Sequence, residues 1–152
     1  MFVLDSVAFL TRRHPQGELS TVSGVEPELV NRRSREYHEQ LVAAGMQVAM
    51  ASETARQQVE TTAQETGDAG VLSPVDLDLL ALALERDATL LTDDFAMQNV
   101  AAALGIVWLP VETDGIAKPL RWRWTCSGCR QRWDEPYGEC PTCGSELRRT
   151  RR

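Results

Sequence analysis

Five carboxylates and four cysteines carry the chemistry legible in this 152-residue chain. In "LLTDDFAMQNV" (90–100) Asp93 and Asp94 stand side by side at the end of an apolar run. Two carboxylates that close need a cation, a proton or open water to relieve their repulsion. Asp5 ends the apolar run "FVLD" in the same way, and Glu28 and Asp76 each fall where a helix is expected to begin. Acids gathered with no neutralising lysine suit hard divalent cations, Mg²⁺ or Mn²⁺, bound through one or two carboxylates with water completing the shell. Two such ions about 3.5–4 Å apart activate water and stabilise the leaving oxygen of a phosphodiester. Each acid also has an ordinary local use as a helix cap or dipole partner, and spacing alone leaves both readings open.

The cysteines are less ambiguous. "CSGC" (126–129) is followed after ten residues by "CPTC" (140–143), so Cys126, Cys129, Cys140 and Cys143 form two facing Cys-x-x-Cys knuckles. That pattern supplies four thiolates to a tetrahedral Zn²⁺. With all four positions filled by protein, the site is structural and has no opening for substrate. A segment of about thirty residues cannot build its own hydrophobic core, so metal binding supplies much of its folding free energy. Arginines crowd around it: Arg121 and Arg123 in "RWRW", Arg130 and Arg132 in "RQRW", Arg148 and Arg149 in the tail. Guanidinium groups bind phosphate bidentately and the interleaved aromatics can stack on unpaired bases, the combination expected for single-stranded RNA. Trp124 and Trp133 have a competing use as the ribbon's hydrophobic packing.

The elements that must position these groups follow from periodicity. Short apolar runs at 2–5, 18–22, 46–50, 88–92 and 106–110 read as strands. Those at 88–92 and 106–110 are apolar enough to be buried. Helices are expected from about Glu26–Glu28 with Pro27 in the first turn, from about Ser52 to Glu65, from Pro74 behind a Ser73–Asp76 capping box, and over 95–104. Strand and helix alternate, so the expected fold is α/β: a three-layer domain with a mostly parallel central sheet, plus a small C-terminal β zinc ribbon. In such sheets ligands bind beyond the carboxyl ends of the strands, where Asp5, Asp93 and Asp94 would sit. The expected division is a nuclease-like domain over 1–110, a linker over 111–120 and the ribbon with its basic tail over 121–152.

Charge follows the same division. Up to Ala117 there are 18 acidic and 7 basic residues, net −11; beyond it the balance is +5, giving the whole-chain value of −6. An acidic body repels a polyanion, whereas a compact basic tail attracts one. No apolar run approaches the ~20 residues of a membrane span, and "MFVLDSVAF" has neither a charged leader nor a small-residue cleavage site, so a cytoplasmic location is expected. There is no Gly-x-Gly-x-x-Gly or Walker loop and no serine or cysteine triad. His14 and His38 read as surface residues. Gln98 and Asn99 read as a polar helix face, with orientation of a carboxylate or contact with RNA as the alternative. Asp78 reads as solvent-facing.

The order "LDSVAF", "STVSGVEPEL", "LSPVDLDLLALA" and "LLTDDFAMQNV" resembles the PIN-domain ribonucleases. With the cysteine-rich end it is similar to the archaeal Nob-type endonucleases that make the last 3′ cut in small-subunit ribosomal RNA. The resemblance implies metal-binding acids at Asp5, Glu28, Asp76 and, in the Thr-x-Asp position, Asp94. Adjacent residues at a strand end point different ways, so one of the pair is expected to face the metal; Asp94 is favoured, and Asp93 is kept as a participant. The resemblance further implies a pre-ribosomal particle as partner and precursor 16S rRNA as substrate. Two other readings stand beside it: a toxin-like PIN ribonuclease, and a non-catalytic zinc-ribbon assembly factor.

Overall fold

The computed structural model describes residues 1–116, 122–135 and 137–151. The chain runs β1 (Phe2–Leu4), α1 (Ser6–Thr11), β2 (Leu19–Thr21), a 3₁₀ helix (Ser23–Glu28), α2 (Arg32–Ala43), β3 (Gln47–Val48), α3 (Glu53–Thr66), α4 (Pro74–Glu85), β4 (Thr89–Leu91), α5 (Phe95–Leu104), β5 (Trp108–Leu109), then β6 (Trp122–Cys126), β7 (Arg132–Trp133) and β8 (Leu147–Arg151). The first five strands form one sheet in the order β3-β2-β1-β4-β5, every neighbour parallel. The last three form an antiparallel sheet, β7-β6-β8. The expected mostly parallel α/β body and β ribbon are both present.

Parallel strands need helical crossovers, and these flank the sheet in two groups, α1 with α2 and α3 with α4 and α5. Helix α4 is the centre of the body. Leu79, Leu80, Ala81 and Leu82 are fully buried on successive sides of it, and a helix apolar all round must be covered all round. Its start is the expected capping box: the Ser73 hydroxyl accepts from the Asp76 amide (3.2 Å) and the Asp76 carboxylate from the Ser73 amide (2.7 Å). Pro74 occupies the first helical turn, where its missing N–H costs nothing.

Several expectations are corrected. The helix anticipated from Glu26 is a 3₁₀ helix containing Pro27, and α2 starts only at Arg32, capped by the Asn31 side chain on the Ser34 amide (2.8 Å). Strand β5 is an edge strand with Val107 64% and Leu109 43% exposed, so its apolar run is not buried. His38 is buried, 6% exposed, edge-on to Phe9 at 5.1 Å between centroids, because α2 turns that face onto α1. Gln98 and Asn99 lie at 0% and 1% exposure, inside the body rather than on a polar face. Asp78 is half-buried and paired with Arg56 of α3.

Candidate active site

Register brings the acids of the two central strands together. Leu4 pairs with Leu91, so Asp5 and Thr92 come next along β1 and β4. The Asp5 amide donates to the Leu91 carbonyl (3.2 Å), and the Thr92 hydroxyl donates to Asp5 Oδ2 (2.7 Å). Asp5 Oδ1 accepts from the Ser6 amide (2.6 Å) and hydroxyl (3.2 Å), which caps α1. Both oxygens are thus held in place, and the residue is 8% exposed.

Glu28 ends the 3₁₀ helix and Asp76 lies in the first turn of α4. Gly24 is what lets these two elements approach: a Cβ there would sit 2.7 Å from Val75 Cγ2. The acids feel one another as a result. Burial raises the Asp5 pKa, the Thr92 and Ser6 hydrogen bonds oppose this, and the negative charge of Asp76 adds to it. Glu28 is raised by partial burial and then by the charges of Asp5 and Asp76. Three carboxylates from segments far apart in sequence therefore share one electrostatic environment at the carboxyl rim of the sheet, where parallel α/β folds bind their ligands.

Asp93 and Asp94 part company. Asp94 is exposed and caps α5, its Oδ1 accepting from the amides of Ala96 (2.6 Å) and Met97 (3.0 Å); its own amide donates to Thr92 Oγ1 (3.1 Å). Thr92 thus links Asp94 to Asp5. Asp93, expected as a participant, turns instead to the segment after β5. Its carboxylate accepts from the amides of Val111 (2.9 Å), Glu112 (3.0 Å) and Thr113 (3.2 Å) and from the Thr113 hydroxyl (3.0 Å). Partial burial alone would raise its pKa, but these donors hold it below the usual value.

Among the described residues, the only group of three or more potential ligands with atoms all within 4.8 Å of one another is the cysteine quartet. The rim carboxylates are spaced more widely. A small hard cation keeps several waters and meets one or two carboxylates directly, so it does not need ligand atoms gathered that closely. The cysteines fit a bare tetrahedral ion: Cys126 and Cys143 sulfurs are 3.4 Å apart, Cys129 and Cys140 3.6 Å. Zn–S bonds of about 2.3 Å in a tetrahedron place sulfurs about 3.8 Å apart. The amides of Gly128 and Cys129 donate to Cys126 Sγ (3.3 and 3.4 Å), and the hydroxyl and amide of Ser145 hold the Cys143 pKa down to about 6. The lowered Cys143 pKa favours its thiolate.

Trp124 and Trp133 pack with Cys126, Cys140 and Leu147 as the ribbon's small core. Of the arginines expected to meet RNA, Arg130 and Arg132 are exposed, Arg148 lies 3.6 Å from Glu146, Arg123 is half-buried, and Arg121 lies outside the described residues. Arg149 is held by the body. It pairs with Asp68, which is 1% exposed and receives Asn99 Nδ2 at 2.6 Å, and its guanidinium lies over the Trp122 ring, 4.3 Å from the centroid. Asp68 escaped sequence reasoning because "TGDAG" has the composition of a surface loop. Gly67, at φ +80°, allows the close approach, since a Cβ there would lie 3.0 Å from Trp122 Cβ. Ile116, in the described part of the expected linker, is likewise fastened: Gln98 Nε2 donates to the Thr92 carbonyl (2.9 Å), while its Oε1 accepts from the Ile116 amide (2.9 Å).

The family described as the PIN domain of ribonuclease matches residues 2–85. This chain belongs to that family. It is 37% identical over 149 residues to Endoribonuclease Nob1 of Pyrococcus abyssi, covering 96% of this chain and 91% of the relative. It is 35% identical over 151 residues to Ribonuclease VapC1 of Thermoplasma acidophilum, covering 98% and 77%. The PIN fold itself recurs in the crystal structure of VapBC2 from Rickettsia felis bound to a promoter DNA fragment. There the TM-score is 0.52 at 14% identity, over 73% of this chain and 98% of that one. This PIN protein is a Nob-type endoribonuclease with a ribbon carrying a four-cysteine cluster.

Proposed function

We propose that the chain cleaves precursor 16S rRNA at its 3′ end during maturation of the small ribosomal subunit, in the cytoplasm and on a pre-ribosomal particle. Residues 1–110 act as the nuclease unit, and residues 121–152, joined through 111–120, as the RNA-docking ribbon. The observation that carries the reading is the shared electrostatics of Asp5, Glu28 and Asp76, with Asp94 tied to Asp5 through Thr92. These four acids would hold one or two Mg²⁺ or Mn²⁺ ions, and the cysteine quartet Zn²⁺. The 37% identity to an endoribonuclease named Nob1, across nearly the full chain, supports the substrate class.

A divalent ion held by Asp5, Glu28, Asp76 and Asp94 would acidify a water and neutralise charge on the phosphate. Asp5, fixed at both oxygens, orients the site. As water oxygen bonds to phosphorus, its proton passes to a rim carboxylate oxygen left free by the ion or to solvent. The bond from phosphorus to the 3′-oxygen breaks in line, leaving 3′-hydroxyl and 5′-phosphate ends. Asp93 serves by anchoring the segment after β5.

The test is Mn²⁺-dependent cleavage of an RNA spanning the 16S 3′ end by wild type and Asp94→Asn. Loss of cleavage in the variant is expected; equal cleavage removes Asp94 from the mechanism, and an uncut RNA with the wild type rejects the substrate. The alignment of 151 residues with a ribonuclease named VapC1 favours a second reading, a toxin-like PIN ribonuclease. Co-purification with a small inhibitory protein would decide for it.

A further inference from the structure

The nuclease body has seven basic residues against eighteen acidic ones, and five of the seven fall in two short runs, Arg12-Arg13 and Arg32-Arg33 with Arg35. The fold joins the runs. Helix α1 packs on α2, and Arg12, just past the end of α1 in the left-handed region (φ 58°), donates through Nη2 to the Arg33 carbonyl (3.2 Å). Between them lies an open depression of about 590 Å³ lined by Leu10, Thr11, Arg12, Asn31, Arg32 and Arg33.

In a body of net charge −11, arginines are expected to find carboxylates. Among the described residues Arg12, Arg33 and Arg35 have no carboxylate partner. Arg32 has only the exposed i,i+4 contact with Glu36, and Arg13 lies 3.9 Å from Glu112 with both side chains more than half exposed. Such pairs are worth little and exchange readily for a stronger anion. Arg12 is braced by the Tyr37 ring (5.6 Å), which keeps its guanidinium in place without discharging it. Leu10, 50% exposed, and Val30, 81% exposed, add apolar surface beside the cations. The amino end of the twelve-residue helix α2 contributes further positive potential.

Placement gives the patch its meaning. Helix α1 is capped by Asp5 at its start and by Arg12 at its end, about 10 Å apart along the axis. The 3₁₀ helix ends at Glu28, and only Leu29, Val30 and Asn31 separate it from Arg32. The elements that carry Asp5 and Glu28 thus lead straight to the arginines. We propose that Arg12, Arg32 and Arg33, flanked by Arg13 and Arg35, form a phosphate track on the nuclease body. The track holds the backbone of single-stranded RNA beside the acid rim, with Leu10 and Val30 meeting the bases. It rests on reading the rim as the cleavage site. It also resolves how an acidic body holds a polyanion across its own active site, with the ribbon gripping the strand elsewhere.

The test is binding of a fluorescent single-stranded RNA to the zinc-loaded full chain without added Mg²⁺ or Mn²⁺, as a function of salt. Wild type is compared with R32Q/R33Q, with R35Q, and with R86Q, a single-charge change matched to R35Q at the opposite end of the strands. Each lost phosphate contact lowers the slope of log K against log salt by about 0.7 for single strands. The double variant should therefore bind every RNA sequence more weakly with a slope shallower by about 1.4, while R86Q follows wild type. With Mn²⁺, the double variant should need more RNA for half-maximal rate and keep its rate at saturation. Arg32 and Arg33 are exposed, so an unchanged melting temperature is expected; R35Q, a milder change on the flank, gives about half the slope effect if the double variant is unstable. A wild-type slope in R32Q/R33Q and R35Q overturns the track. A reduced slope combined with undiminished cleavage by both Asp5→Asn and Asp94→Asn upholds the track and rejects the rim.

Discussion

Asp94 is both the cap of α5 and a proposed metal ligand, and these roles separate by substitution. Asparagine caps a helix about as well as aspartate. Asp94→Asn should therefore melt within ~0.5 kcal/mol of wild type while losing Mn²⁺-dependent cleavage, whereas Asp94→Ala should cost about 1 kcal/mol as well. Calorimetry beside a cleavage assay checks the pair. Asp5 and Glu28 make a different prediction, because their folded pKa values lie above the ordinary carboxylate values of 3.8 and 4.5. An acid that binds its proton more tightly when folded stabilises the fold below the unfolded pKa and loses that contribution as pH rises through the folded one. Without divalent ions, the melting temperature of Asp5→Asn should gain on wild type as pH climbs from about 4 towards neutrality. Mn²⁺ at a hundred times its Kd should restore about 2.7 kcal/mol to wild type at pH 7, and little to the variant. Parallel pH profiles for the two proteins would sink this account of the rim.

The elements hold the acids through ordinary local devices. Asp76 gives one oxygen to the Ser73 amide, so the capping box that starts α4 also fixes the carboxylate's direction. Gly24 sets the distance between the 3₁₀ helix of Glu28 and the α4 start of Asp76, with Val75 in the way of any side chain. Gly24→Ala is expected to push the two apart, costing about 1–3 kcal/mol as overpacking does and raising the Mn²⁺ concentration for half-maximal cleavage. Gly70→Ala, where a Cβ meets nothing within 4 Å, is the control and should leave that concentration unchanged. Both can be read from a single metal titration series.

At the scale of the molecule, a buried ion pair among the described residues fastens the ribbon to the body. Asp68 takes Arg149 and Asn99 together, and Trp122 lies between the guanidinium and Gly67. Removing one partner of such a pair costs about 3–5 kcal/mol, since the remaining charge keeps its burial and loses its compensation. Asp68→Ala should therefore release the ribbon, seen as a larger radius of gyration in solution scattering, with the cysteine cluster still able to hold its metal. Stripping zinc with a chelator should have the complementary effect, with ribbon structure lost and the body's helices retained in circular dichroism. A chelator-resistant ribbon without bound zinc would reject the structural-metal assignment.

What the sequence determined by itself was local. Apolar runs and caps are written within a few residues of where they act, so β1, α4, β4 and α5 were legible, as were the paired cysteine knuckles. The family resemblance brought Asp5, Glu28, Asp76 and Asp94 forward as one set. Only the tertiary structure decided what depends on contacts distant in sequence. It turned Asp93 towards Val111–Thr113, buried His38 on Phe9, set Gln98 and Asn99 inside the body, and gave Arg149 to Asp68. A polar side chain carries no local mark of its partner, because the same aspartate caps, pairs or faces a metal according to which segment the fold brings opposite it.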